Sequence, residues 1–274
     1  MEFGFGLGRL HHVLRRPERE RVVRAVVEAG FTHLDLAPAY GDGLLEAEVG
    51  RALHTIGGRA KLRIATKFGI PFRSIGELPG PAYFALRALG KALKTSFGAR
   101  YGERDFSPKE LVSSVHNSLR RIRTDYIDLL IIHEPRDQAE FRSLDATWGE
   151  LEKLQRQGKI RQFGVSGESD PLLDADDAGL VPASAVRMTP LSPRLIAKPP
   201  SWFAEREVIV FNVVKHLRSI YPTGRIETKE LVRTAHRLVP AARLLLASNN
   251  VDEIKRMGEA TAALARESLS GAVS

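Results

Sequence analysis

The sequence predicts a single-domain α/β protein built as a (β/α)8 barrel. Two observations carry this expectation: helix-like and strand-like segments alternate along the whole chain, and about eight of them read as strands. Repeated alternation implies a parallel sheet, and eight such units in one domain suggest that the sheet closes on itself. The length of 274 residues agrees, because a chain of about 250 residues can form one TIM barrel. An open doubly wound sheet is the competing arrangement.

The elements follow in order. Phe3 to Gly8 is a short glycine-rich first strand. Pro17 to Ala29 has helical periodicity, with proline suited to a first turn and Gly30 to the stop. Phe31 to Ala37 reads as a strand, Leu44 to Leu53 as a helix and Lys61 to Thr66 as a strand. Ser107 precedes Pro108 as an N-cap would, opening a helix to about Ile122. Tyr126 to Ile132 is nearly continuous in apolar residues, as a parallel strand buried on both faces should be. A helix at Leu144 to Gln157 follows, then strands at Ile160 to Val165, Ala183 to Met188 and Val208 to Val214. Helix Thr228 to Leu238, strand Arg243 to Ala247 and helix Val251 to Ala265 complete the set. Residues 68 to 106 interrupt the rhythm as a long insertion with Gly76, Pro79, Gly80 and Pro81, and connections of that size are often lids.

Composition narrows the classes. No run approaches the roughly 18 apolar residues of a membrane span, and the start at Met1-Glu2-Phe3-Gly4 lacks the pattern of a signal peptide. The chain has no cysteine, which excludes disulfides and thiol chemistry and fits a cytoplasmic location. A net charge of +8 raises nucleic-acid binding. The arginines, however, lie scattered at helical spacing, as at Arg15, Arg16, Arg19, Arg21 and Arg24, which reads as a solvated surface. The expected partner is a small molecule, not nucleic acid or a membrane.

Barrel enzymes carry their chemistry just beyond the C-terminal ends of the strands. Applied to the strands above, that rule selects Asp35, with Tyr40 five residues later, Lys67 and His133. Each alone has an ordinary structural explanation; an acid, a phenol, an amine and an imidazole on one rim are a more specific signal.

These residues sit in recognisable surroundings. Gly30-Phe31-Thr32-His33-Leu34-Asp35, continuing to Ala37, Tyr40-Gly41 and Glu46-Ala47-Glu48-Val49-Gly50, resembles the first signature of the aldo-keto reductases. Ala65-Thr66-Lys67-Phe68-Gly69 resembles their lysine strand, and Ser118 to Ile122 through Asp125 to Leu130 and His133 resembles a further signature. Gly158 to Ser166 matches the strand that follows, so the resemblance is dense from about residue 3 to 167. It implies that Asp35, Tyr40, Lys67 and His133 match the family's catalytic tetrad. In that scheme Tyr40 donates a proton in carbonyl reduction, Lys67 lowers its pKa, Asp35 holds Lys67, and His133 orients the substrate oxygen. No metal is needed.

The same resemblance implies a nicotinamide cofactor, NADPH or NADH. Gly6 on the first strand would bring backbone close to the active site, with Asp35 and Ser166 nearby. Where the family has asparagine after that serine, this chain has Gly167, and Arg187 stands in the position of a glutamine. The aromatic residue that stacks on the nicotinamide falls near Phe211 or Asn212. Ser248, Asn249 and Asn250 resemble the adenosine-phosphate segment, at the start of a helix suited to phosphate. Glu253 replaces an arginine common in NADPH users, and its carboxylate would repel a 2′-phosphate, while Lys255 and Arg256 lie close enough to compensate. The insertion is expected to help wall the substrate pocket. Two functional readings follow: an NAD(P)(H)-dependent oxidoreductase interconverting a carbonyl and an alcohol, or a catalytically weak barrel that binds the nucleotide as a sensor.

Overall fold

The computed structural model describes residues 3–92, 99–197, 199–200, 203, 205–220 and 226–271. Eight parallel strands run β1 (Phe3–Gly6), β2 (His33–Asp35), β3 (Arg63–Phe68), β4 (Ile127–His133), β5 (Ile160–Ser166), β6 (Val186–Pro190), β7 (Val208–Phe211) and β8 (Arg243–Leu246). Each pairs with the next, and β1 also pairs with β8, closing the barrel as the alternation implied. The helices are α1 (Arg16–Glu28), α2 (Leu44–Ile56), α3 (Gly80–Ala92), α4 (Pro108–Ile122), α5 (Gln138–Arg142), α6 (Asp145–Arg156), α7 (Ser169–Asp177), α8 (Pro193–Ala197), α9 (Val213–Ile220), α10 (Thr228–Leu238) and α11 (Val251–Gly271). No described helix is long and apolar enough to cross a membrane.

The core has two layers, set by the strand period of two. Outward residues pack against the helices, as in the cluster of Leu130, Ile132, Leu111, Val115 and Trp148. Inward residues Ala65, Leu129, Ile131, Val186, Met188, Ile209 and Leu245 fill the barrel. Gly4 shows how tight this filling is. A β-carbon there would lie 2.6 Å from Leu245 Cδ2 and 3.1 Å from the His33 ring, so only glycine fits.

The register then decides where polar groups emerge. Asp35 pairs with Ala65, Lys67 with Ile131, and His133 with Ser166. Lys67 lies two residues beyond Ala65, and His133 two beyond Ile131, so all three polar groups share the inward face at the C-terminal rim. The Ser107 hydroxyl accepts the Glu110 N–H at 3.3 Å, the cap expected before Pro108.

Three elements differ from the sequence reading. The expected strand 208–214 stops at Phe211, because Asn212 turns into the left-handed region (φ 57°) and α9 begins at Val213. Val213 and Leu217, four residues apart, are the buried helical face that extended the apolar run. β2 is only three residues long. The insertion is not all loop: Gly80 and Pro81 open α3, a helix start that the turn-like residues concealed. Its residues 93–98 lie outside the described ones.

Burial also makes charge pairing decisive. Arg121 of α4 donates to Glu46 of α2 at 2.6 Å, Thr66 of β3 donates to the same carboxylate at 2.6 Å, and both ionic side chains are almost fully buried. Removing one partner strands a charge, at a cost of about 3–5 kcal/mol. Arg121→Met is therefore expected to lower the melting temperature by roughly 10 °C, with part recovered in the double variant carrying Glu46→Leu. A single variant melting within a degree or two of the parent would contradict this.

His33 gives a second expectation. It is fully buried at the lower inward position of β2, and among the described residues neither ring nitrogen has a hydrogen-bond partner. Burial, with Arg63 and Lys67 nearby, holds its pKa down at about 3, against 6.5 for the free imidazole. The unfolded chain therefore binds this proton first, and stability falls as pH drops from about 6.5 towards 3, by up to about 1.4 kcal/mol per pH unit. Urea denaturation of His33→Leu between pH 7 and 4 should show a shallower loss; equal slopes would refute the assignment.

Candidate active site

At the C-terminal mouth, Asp35, Tyr40, Lys67 and His133 line one cavity of about 180 Å³. β2, β3 and β4 each deliver one of these residues, and the turn after β2 delivers Tyr40. The Lys67 ammonium donates to Asp35 Oδ1 at 2.6 Å and to the Leu36 carbonyl at 2.8 Å. It lies 5.2 Å from the centre of the Tyr40 ring, whose edge meets His133 at 5.8 Å between ring centres. Gly8 makes room for that phenol: a β-carbon there would stand 3.2 Å from Tyr40 Cε2. Gly6 also lines the cavity, but a β-carbon on it would meet nothing closer than 3.8 Å. The tight approach thus belongs to Gly8.

The electrostatics depart from one expectation. Burial pushes the Tyr40 phenol above its ordinary range, and the negative charges of Asp35 and Glu134 add to the effect. Lys67 is itself held by Asp35 and the Leu36 carbonyl, and burial prevails over its charge. The phenol is therefore fully protonated near neutral pH. Burial, with Lys67 and Arg104 nearby, holds His133 well below its ordinary range, so the imidazole is neutral. Asp35 is raised by burial against the opposing pull of Lys67.

The cavity also takes in Ser166, Phe211 and Asn212, together with Met188. Both candidates for the stacking position therefore reach it. Ser166 Oγ donates to the Ile132 carbonyl at 3.2 Å and accepts the Glu134 N–H at 3.3 Å. Gly167 is not part of the lining; its N–H donates to the Met188 carbonyl, and a β-carbon on it would face Leu172 of α7.

Arg187 requires a correction. It lies on the outward face of β6, fully buried beneath α7, where it donates to Asp176 at 2.6 Å and to the Val181 and Ala183 carbonyls. Its neighbour Met188 faces inward and occupies the cavity. With a period of two, adjacent residues face opposite sides of a strand, so Arg187 points away from the cavity where Met188 points into it.

The cavity continues into a groove of about 730 Å³ through the shared residues Arg9, Asn212, Leu245 and Ala247. Ser248, Asn249, Asn250 and Glu253 line this groove, as do Lys215 and Arg218 of α9. Asn250 Oδ1 accepts the Glu253 N–H at 2.9 Å, which makes it the cap of α11. The Ser248 hydroxyl donates to the Glu253 carboxylate at 2.7 Å, and Arg218 pairs with the same carboxylate. Asn249 donates to the Arg9 carbonyl at 3.0 Å. Sequence reasoning missed Arg9, Lys215, Arg218, Met188 and Glu134. The last follows His133 directly, and its adjacency was the only signal available.

Comparison with known proteins agrees with this arrangement. The model of the aldo/keto reductase family matches residues 2–194. Aldo-keto reductase YhdN of Bacillus subtilis is 31% identical over 152 residues, covering 56% of this chain and 38% of that one. An NADH-specific methylglyoxal reductase of Escherichia coli is 28% identical over 162 residues, covering 58% and 43%. The aligned stretch thus spans under half the length of each of these relatives. Among solved structures, the holo form of aldo-keto reductase AKR11C1 from Bacillus halodurans superposes with a TM-score of 0.69 at 25% identity, covering 95% of this chain and 86% of that one. An aldo-keto reductase from Klebsiella pneumoniae in complex with NADPH shares the fold, with a TM-score of 0.62 at 19% identity and coverage of 94% and 84%. With the family model spanning most of its length and a closed barrel of the same kind, this chain belongs to the aldo/keto reductase family.

Proposed function

We propose that the protein is an NAD(P)(H)-dependent oxidoreductase that interconverts an aldehyde or ketone and an alcohol, with Tyr40 as proton donor. The observation that carries this reading is the convergence of the buried Asp35–Lys67 pair, Tyr40 and His133 on one cavity that opens into a long groove. The groove suits a dinucleotide: its volume is in the range of ligand sites, and Arg9, Lys215, Arg218 and the start of α11 are cationic or positively polarised groups for phosphate. Phe211 or Asn212 and Ser166 would hold the nicotinamide end, with Gly6 beside it; Ser248, Asn249, Asn250 and Glu253 would hold the adenosine end.

When bound, the nicotinamide supplies a hydride to the carbonyl carbon, or accepts one in the reverse direction. His133, neutral, donates a hydrogen bond to the carbonyl oxygen and fixes its direction. Tyr40 Oη gives its proton to that oxygen as negative charge develops there. A phenol held above its usual pKa by burial keeps its proton until then. Lys67, fixed by Asp35 and the Leu36 carbonyl, then stabilises the phenolate. The absence of cysteine fits a reducing, cytoplasmic setting.

Tyr40→Phe tests the proton donor. It should lower kcat for aldehyde reduction by about 10²–10⁴-fold while leaving dinucleotide affinity unchanged in a fluorescence titration. Undiminished turnover would exclude the assignment. Coenzyme choice is tested at Glu253, which holds Arg218 and would otherwise repel a 2′-phosphate. Glu253→Gln should tighten NADPH relative to NADH by about tenfold, or 1.4 kcal/mol, and Arg218→Ala should move the ratio the other way. If neither variant shifts it, the adenosine end binds elsewhere.

A further inference from the structure

Glu134 stands in the cavity but has no part in the reaction described above. Its backbone is left-handed, at φ 58°, a conformation that residues other than glycine rarely adopt. Neighbours hold it there. Its N–H donates to the Ser166 carbonyl at 3.0 Å and to Ser166 Oγ at 3.3 Å, and its own carbonyl accepts Arg104 Nε at 2.9 Å. Strain kept in place by several contacts commonly marks a functional position.

The bend brings the carboxylate to the reacting groups. Oε1 lies 4.0 Å from His133 Nε2, and Oε2 lies 3.5 Å from an Arg104 guanidinium nitrogen. Among the described residues no hydrogen-bond donor meets either oxygen, so the carboxylate faces the cavity with acceptor capacity to spare. Arg104 offsets its charge in part, and the other charges of the cavity do not. Asp35 and Lys67 cancel one another, and Arg9 stands at the junction with the groove, where the dinucleotide would use it. Arg104 belongs to the 68–106 insertion, and its guanidinium also donates to the Tyr101 carbonyl, which ties that segment to the cavity mouth.

On the basis of the proposed carbonyl–alcohol chemistry, we propose that Glu134 determines substrate class. It accepts a hydrogen bond from a hydroxyl next to the reacting carbonyl of a neutral hydroxy-aldehyde or hydroxy-ketone, and it repels substrates that carry a carboxylate at that place. A hydroxyl donating to a carboxylate with a free acceptor position forms a strong, charge-assisted bond, whereas a second carboxylate a few ångströms away meets like-charge repulsion in a partly desolvated site. Arg104 is a positioning residue that holds Glu134 and moderates its charge.

The test compares glyceraldehyde with glyoxylate as substrates of the full chain and of Glu134→Gln. The parent should favour glyceraldehyde. The variant should raise kcat/KM for glyoxylate by about tenfold and lower it for glyceraldehyde by about threefold, a change in ratio that general loosening of the fold would not produce. Arg104→Gln should move the ratio the other way, further against glyoxylate, and serves if the first variant fails to fold. A second arm needs no turnover: saturation-transfer NMR on the protein without dinucleotide, with glycerol and glycolate as probes. Glycolate binding gained in Glu134→Gln supports the assignment even if the parent reduces no aldehyde, a result that would sink the redox reading alone. Unchanged charge preference in both arms overturns the role of Glu134.

Discussion

The site depends on one buried ammonium. Lys67 is 2% exposed and Asp35 7%, and a charge removed from water this far is tolerated only with an opposite charge and further hydrogen bonds close by. Asp35 and the Leu36 carbonyl meet that need from the strand alongside. The pairing fixes β2 against β3 and holds the ammonium near the Tyr40 ring, while burial keeps His133 uncharged. Without it the barrel would carry an uncompensated cation in its mouth, and the ammonium would not be held beside the phenolate left by proton transfer.

The rest of the molecule serves that placement by register. Eight strands offset around a closed barrel deliver polar residues to one rim, while Ala65, Leu129, Ile131 and Met188 pack beneath them and exclude water. Outside, the Arg121–Glu46–Thr66 cluster ties α4 and α2 to β3, the strand that carries Lys67. Stability and chemistry thus share one strand. The same economy extends to the mouth, where Ser166 both ends β5 and pins the bent backbone of Glu134.

What could be read in the sequence follows from the physics of each segment. β4 was legible because a nearly continuous apolar run ends abruptly in His133, and β3 because a short strand-like segment ends at Lys67 within the Ala65 to Gly69 motif. Arg187 was misplaced because nothing in a short strand fixes which of its residues face inward. The boundary at Asn212 was hidden because Val213 and Val214 continue an apolar run whose period changes from two to 3.6 only afterwards. Arg9, Arg218 and Glu134 come from loops and from a helix far apart in the chain, so only folding gathers them. The substitutions at Gly167 and Arg187, which kept a catalytically weak nucleotide sensor open as the alternative in the sequence, both lie off the cavity lining.

The most direct measurement of the central claim follows the hydride. The purified protein would be incubated with an aldehyde and NADPH or NADH deuterated at both C4 positions, and the alcohol analysed by mass spectrometry and NMR. Direct transfer at the Tyr40–His133 cavity predicts one deuterium on the carbinol carbon, delivered to a single face, and none exchanged into water. Alcohol formed without deuterium at the carbinol carbon, or deuterium lost to solvent, would contradict a hydride-transfer site at this barrel mouth.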